Sequence, residues 1–247
     1  MNKTWKKWVR LTFILLPTLL LLVQIFWQPP LDRPKKIQMA IRALVPPIEI
    51  ILHYFDFNEK NALKQWEEKL FQGRVNYWID FDQKDGFIHA KSKQSASAIF
   101  YRIRFDVSSY PYISWKWRVG KFPNKSQTRD PKKRDDFAAR VYVVFISRFF
   151  TNFRCVEYVW DETLPEGTTL DSPYASQIKQ VVIQSGLGEP GVWVSETRNV
   201  SEDYQKLFGR APKMKAAAIA LMTSSAGTQS EAEGFFDDIR IGKELQT

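Results

Sequence analysis

From Ile48 onward the chain is a succession of short runs of strand length and strand composition, and this recurrence limits its possible folds more than any other feature. Residues 87–90, 98–105, 113–119, 139–146, 155–160, 180–184, 192–200, 216–222 and 235–241 each alternate or stay apolar over a few positions. Turn chemistry separates them at Lys84-Asp85-Gly86, Ser109-Tyr110-Pro111, Pro165-Glu166-Gly167 and Gly188-Glu189-Pro190-Gly191. Residues 58–71 and 201–208 read as helical, the second with Ser201 as N-cap and Gly209 as its stop. Nine strands with so little helix predict one all-β domain over residues 48–247, an antiparallel jelly-roll-type β-sandwich. With 44% apolar and 15% aromatic residues, 247 residues are ample for its core, and a disordered chain is excluded. Cys155, the single cysteine, excludes an internal disulfide framework or a multi-thiolate zinc site.

The formal charge of +9 invites a nucleic-acid reading, but its distribution argues against one. Residues 1–47 hold eight basic side chains and one acid, which is +7 of the total and leaves +2 for the rest. Within that rest, the stretch 116–134 has eight basic groups against Asp130. The charge therefore marks a terminus and one local basic stretch, and no nucleic-acid partner is expected.

Residues 11–27 form 17 consecutive positions without a charge, preceded by Lys3, Lys6, Lys7 and Arg10. At 1.5 Å per residue such a helix covers about 26 Å, near the lower limit for a bilayer. The run leaves through Val23-Gln24-Ile25-Phe26-Trp27-Gln28-Pro29-Pro30, with no small-residue cleavage site, so an uncleaved signal anchor is expected. Trp5, Trp8 and Trp27 fall where interfacial aromatics belong. This gives a basic cytoplasmic flank at 1–10, a transmembrane helix at 11–27, a Pro-rich tether at 28–47, and the sandwich outside a bacterial inner membrane, in the periplasm or beyond the cell.

Alternation places Trp115, Trp117 and Val119 on one face of their strand and Lys116 and Arg118 on the other. Arg140 aligns with Tyr142 and Val144, and Val156 with Tyr158 and Trp160. In 192–200, Val194, Glu196 and Arg198 oppose Trp193, Ser195 and Thr197. Rings beside charged groups suit sugar binding, in which rings cover C–H faces and forked side chains satisfy hydroxyls. The candidate groove uses Trp117 and Trp160 as stacking platforms, Arg140, Glu196 and Arg198 for hydroxyl or carboxylate recognition, and Asp136 to orient Arg140. The alternative is that these tryptophans are core residues and the charges pair across strands. His53 and His89 show no metal spacing, and Cys155 lies in an apolar run suited to the core.

Several long motifs resemble one uncharacterised bacterial family, a domain of unknown function found in exported or membrane-anchored envelope proteins. They are Pro111-Tyr112-Ile113-Ser114-Trp115-Lys116-Trp117-Arg118-Val119, Asp135-Asp136-Phe137-Ala138-Ala139-Arg140-Val141-Tyr142-Val143-Val144-Phe145, Tyr158-Val159-Trp160, Trp193-Val194-Ser195-Glu196-Thr197-Arg198-Asn199-Val200, Asp203-Tyr204, Phe208-Gly209 and Gly234-Phe235-Phe236-Asp237-Asp238-Ile239. The resemblance covers roughly residues 54–241 and implies an envelope location and a sandwich, without a reaction. It departs at Thr223-Ser224-Ser225-Ala226-Gly227-Thr228, where the family carries an acidic loop. In jelly rolls resembling carbohydrate-binding modules the first and last strands are often neighbours, and a structural calcium can sit between their acids. That resemblance makes Asp56 with Asp237 or Asp238 the candidate calcium ligands.

The leading expectation is a membrane-anchored, non-catalytic binder of an extracytoplasmic glycan or similar polar ligand. One alternative is a glycan hydrolase or lyase using Asp136 and Glu196, and another is an assembly module whose basic stretch docks an acidic partner.

Overall fold

The computed structural model describes residues 49–147, 152–188 and 191–244. The expected flank, anchor and tether lie outside the described residues, among which no helix is long and apolar enough to cross a membrane.

Two sheets face each other. The six-stranded sheet contains β1 (Glu49–Phe55), β3 (Asn76–Asp82), β4 (Asp85–Lys93), β6 (Tyr112–Lys121), β11 (Val194–Asn199) and β13 (Glu231–Glu244), in the order β11-β6-β13-β4-β3, with β1 also on β13. The seven-stranded sheet contains β2 (Glu67–Gln72), β5 (Ala96–Phe105), β7 (Ala139–Ile146), β8 (Phe153–Asp161), β9 (Thr169–Asp171), β10 (Ile178–Ser185) and β12 (Lys215–Ser224), in the order β2-β5-β12-β7-β8-β10-β9. Most connections cross between sheets, which gives the expected jelly-roll-type sandwich. One pair departs from the antiparallel expectation: β10 runs parallel to β8, because the chain passes through β9 before returning beside it.

The helical expectation for 58–71 is overturned. Ala62–Gln65 makes a single 3-10 turn, and the Glu67-Glu68-Lys69 segment, with good helix formers, is instead edge strand β2. Pairing with β5 and burial of Trp66 beside Phe55 override local propensity. The second helix, α1 (Val200–Phe208), is present. Its cap is Asn199 and not Ser201: the Asn199 side chain accepts from the Glu202 N–H at 3.1 Å while its own amide donates to the Glu202 carboxylate at 2.9 Å. Gly209 closes the helix at φ 67°.

The core lies between the sheets. Trp115, Trp117, Tyr158, Trp160, Phe145 and Phe236 are essentially without solvent contact, and Trp117 meets Trp115 at 5.4 Å and Trp160 at 5.8 Å between ring centres. Strand β13 serves both halves of its sheet, pairing first with β4 and later with β1 while β6 runs along its other side. An extra residue makes this change of partner possible: the register breaks between Asp237 and Arg240, Asp238 takes φ 53°, and both Phe236 and Ile239 point inward.

Candidate functional site: an aromatic row across the six-stranded sheet

The six ligand residues expected from sequence do not converge. Trp117 and Trp160 are 0% and 2% exposed and belong to the inter-sheet core, so the platform role assigned to them is corrected. Their strands are covered on that face by the opposite sheet, and alternation alone does not say which face a ring takes. Arg198 points inward at the sheet edge, where its guanidinium forks onto Asp203 of α1 at 2.9 and 2.7 Å. Asp203 also accepts from the Tyr158 phenol at 2.9 Å, so Arg198 fastens the helix to the sandwich. Glu196, half-buried on the same face of β11, is pushed up to about 7 by burial, with Glu166 adding repulsion.

Arg140 lies on β7 of the other sheet and Asp136 in the loop that leads into it. Arg140 is buried on its outer side, donating to Glu157 at 3.0 Å, to Ser224 at 2.9 Å and to the Asp135 carbonyl. Gln180 links Glu157 to Asp135. Burial pushes Glu157 up to about 7 despite the neighbouring cation. Asp136 does not orient Arg140; it accepts from the Thr228 N–H at 2.7 Å and hydroxyl at 2.8 Å. Asp136, in the loop before β7, and Glu196, on β11 of the other sheet, have separate surroundings, and the two-carboxylate cleft expected of a hydrolase is not assembled from them.

The basic stretch also divides. Lys116, Arg118 and Lys121 are on β6. Lys125 is buried against Asp161 at 2.6 Å and Glu162 at 3.2 Å, which leaves Arg129, Lys132, Lys133 and Arg134 outermost. Asp238 is engaged by Lys116 at 2.5 Å, by Arg240 at 3.2 Å and by the Tyr54 phenol, whereas Asp56 is exposed. Among the described residues no group of three or more His, Cys, Asp or Glu side chains gathers as a metal site.

The rings that do face outward lie on the six-stranded sheet. In β4 and β13, Ile88, Ala90, Gly234 and Phe236 point inward, so His89 and Phe235 point out. Register carries this across the sheet: Trp78 pairs with His89, His89 with Phe235 and Phe235 with Arg118, and Trp193 lies beyond Arg118. The result is a row of five side chains spanning four interstrand spacings, roughly 19 Å at about 4.8 Å each.

Contacts along the row are continuous. Trp78 and His89 ring centres are 3.9 Å apart, and those of His89 and Phe235 4.3 Å. The Arg118 guanidinium carbon lies 4.2 Å from the Phe235 centre, 4.9 Å from Trp193 and 5.0 Å from Phe87, which underlies the row. Cation–π attraction holds this arrangement in place. Hydrogen-bonding groups flank the rings: His89 Nδ1 lies 3.1 Å from Asp80 and Nε2 2.8 Å from Glu233, and Lys91 approaches Glu233 at 3.7 Å. The His89 contact holds the Asp80 carboxyl below the usual range. Gly120 makes room for the row, since a Cβ there would stand 2.7 Å from Glu233 Oε2 and 3.0 Å from the Phe235 ring. Trp78 is 37% exposed at the open end. Farther along the same strands, Lys93, Lys121, Asn124, Gln229 and Glu231 line a polar pocket of about 360 Å³.

Sequence reasoning missed this row, although signals for it were present. Residues 76–82 alternate as Asn-Tyr-Trp-Ile-Asp-Phe-Asp directly before the recognised Lys84-Asp85-Gly86 turn. The alternation that separates Arg118 from Trp117, and Trp193 from Val194, matches the faces these side chains take, and it is Arg118 and Trp193 that stand on the outer face.

A sandwich with an aromatic and charged outer face defines the class of this domain, and its sequence gives the family. The chain belongs to the family described as Protein of unknown function (DUF3047), which matches residues 64–240. No curated protein matches the chain. Among solved structures it is similar to the family 11 carbohydrate-binding module of the cellulosomal cellulase Lic26A-Cel5E of Clostridium thermocellum, with TM-score 0.46, 12% identity, and 82% of this chain and 99% of that one covered. It is also similar to the family 30 carbohydrate-binding module of the cellulosomal cellulase Cel9D-Cel44B of Clostridium thermocellum (TM-score 0.42, 10% identity, 72% and 90% covered). A third is the xyloglucanase domain of NopAA, a type three effector from Sinorhizobium fredii (TM-score 0.40, 10% identity, 72% and 91% covered).

Proposed function

We propose that this protein is a non-catalytic glycan binder whose ligand lies along the row from Trp78 to Trp193. The observation that carries the reading is the unbroken run of ring and guanidinium contacts across four strands and on to Trp193, just before β11, on the outer face of the sheet. Trp78, part-exposed at the open end, offers a ring face to the C–H face of a pyranose, the stacked rings behind it offer their edges, and Asp80, Glu233 and Lys91 at the margins supply donors and acceptors for hydroxyls. Nothing in this arrangement requires a bond to be broken. The apolar run at 11–27 would anchor the domain to an inner membrane and present the sheet to envelope or extracellular polysaccharide.

Affinity electrophoresis of the full chain against a panel of cell-wall and exopolysaccharide fractions tests this. The proposal expects retardation by at least one fraction, reduced tenfold or more by Trp78→Ala. Retardation by none, or equal retardation of the variant, would remove the site.

A further inference from the structure

We propose that the glycan carries carboxylates and that Arg118 reads them, which rests on the row being the binding surface and narrows its ligand to uronate-bearing chains. The three outward cations of β6 differ in their partners. Lys116 meets Asp238 at 2.5 Å and Lys121 meets Glu231 at 2.8 Å. Arg118, between them, has no carboxylate partner among the described residues. Its polar contact is a 3.5 Å approach of Nη1 to the Gly191 carbonyl, and its Nε is shielded from water without an acceptor. The carboxylates nearest in the row do not serve it, since Asp80 and Glu233 are held by His89, and Glu233 also by Lys91.

A guanidinium has five N–H donors in a plane and satisfies them best against a planar, forked acceptor. Rings of Phe235, Trp193 and Phe87 lie against Arg118, fixing its position and displacing water from it. This takes up its apolar faces and, among the described residues, leaves Nε without an acceptor. Arg118 stands between Phe235 and Trp193 and not at the row's end, so the missing acceptor belongs to a sugar within the bound chain. A neutral glycan would leave the donors to hydroxyls, whereas a uronate supplies the charge-assisted pair.

The test is calorimetric titration of the full chain with polygalacturonate, alginate and glucuronan, each beside its carboxyl-reduced counterpart, together with a panel of neutral polysaccharides. The expected result is at least tenfold tighter binding to one uronate polymer than to its reduced form. Arg118→Gln should abolish that preference, weakening binding of the uronate polymer at least tenfold more than binding of its reduced counterpart. Arg118→Lys keeps the charge without the fork and should retain a weaker, more salt-sensitive preference. Equal binding of both polymer forms by the wild type, equal weakening of both by Arg118→Gln, or binding confined to neutral polysaccharides overturns the inference and leaves the row as a binding surface. Binding to no polymer of either kind overturns both.

Discussion

Phe235 and Arg118 sit opposite each other across the β13–β6 ladder, with the guanidinium carbon 4.2 Å from the ring centre. That pairing joins the two halves of the row, Trp78 and His89 on one side and Trp193 on the other, into one surface. It also separates two populations of tryptophan that composition treats alike, those clasped between the sheets and those turned to solvent.

The two populations respond differently to truncation. Trp117→Ala removes a fully enclosed ring and should cost about 3–5 kcal/mol in denaturant unfolding. Trp78→Ala removes a part-exposed one and should change stability by about 1 kcal/mol or less while weakening glycan binding. Urea melts of both variants check this, and equal losses would contradict the assignment of faces.

Arg198 should prove structural. Arg198→Ala withdraws both hydrogen bonds to Asp203 and leaves that buried carboxylate with the Tyr158 phenol. The expected loss is about 1.5–3 kcal/mol of stability, with glycan affinity unchanged when measured well below the melting temperature. A variant of normal stability that no longer binds would restore Arg198 to the site.

Arg140 anchors the polar layer outside the seven-stranded sheet. Arg140→Ala leaves Glu157 buried without its cation and should cost about 3–5 kcal/mol. Pairing it with Glu157→Gln should recover part of that loss, and chemical denaturation of both variants measures the recovery. No recovery would mean the residues act independently.

How much of this was legible in sequence follows from what determines each feature. Alternation in 139–146 predicted a strand with the observed ends because its inward Val141, Val143 and Phe145 are uniformly apolar. β2 was not legible, since a two-glutamate edge strand looks like helix until β5 is beside it. The candidate site failed for a related reason. Period-two patterns separate Trp117 from Arg118 but do not say which neighbour faces the second sheet, and that depends on where the opposite layer lies. Gly120 and the Asp237-Asp238 bulge, which give the row its space and β13 its change of partner, act through register that no single segment encodes.

Stability should fall as pH rises from about 4 toward 7. Burial raises Glu157, Glu196 and Asp237 each to about 7 in the folded chain, above the usual carboxyl range near 4. Between those values the unfolded chain releases protons that the folded chain still holds, so the unfolded state binds fewer and ΔG of unfolding declines with pH. Each unit of displacement is worth about 1.4 kcal/mol before allowance for solvent contact, so the fall should be at least a few degrees in Tm. Thermal melts from pH 4 to pH 8 measure it, and Glu196→Gln with Asp237→Asn should reduce the slope, with Glu157 keeping its share. An unchanged slope in the double variant would assign it to other groups.

Hydroxyl-radical footprinting of the full chain, with and without a retarding polysaccharide, tests the central claim most directly. Trp78, Phe235 and Trp193 should lose reactivity together when the glycan is bound, while exposed Tyr174 and Phe71 on the other sheet's side keep theirs. Protection at Tyr174 and the 129–134 loop, with Trp78 and Trp193 unchanged, would place the ligand on the opposite sheet and contradict the account.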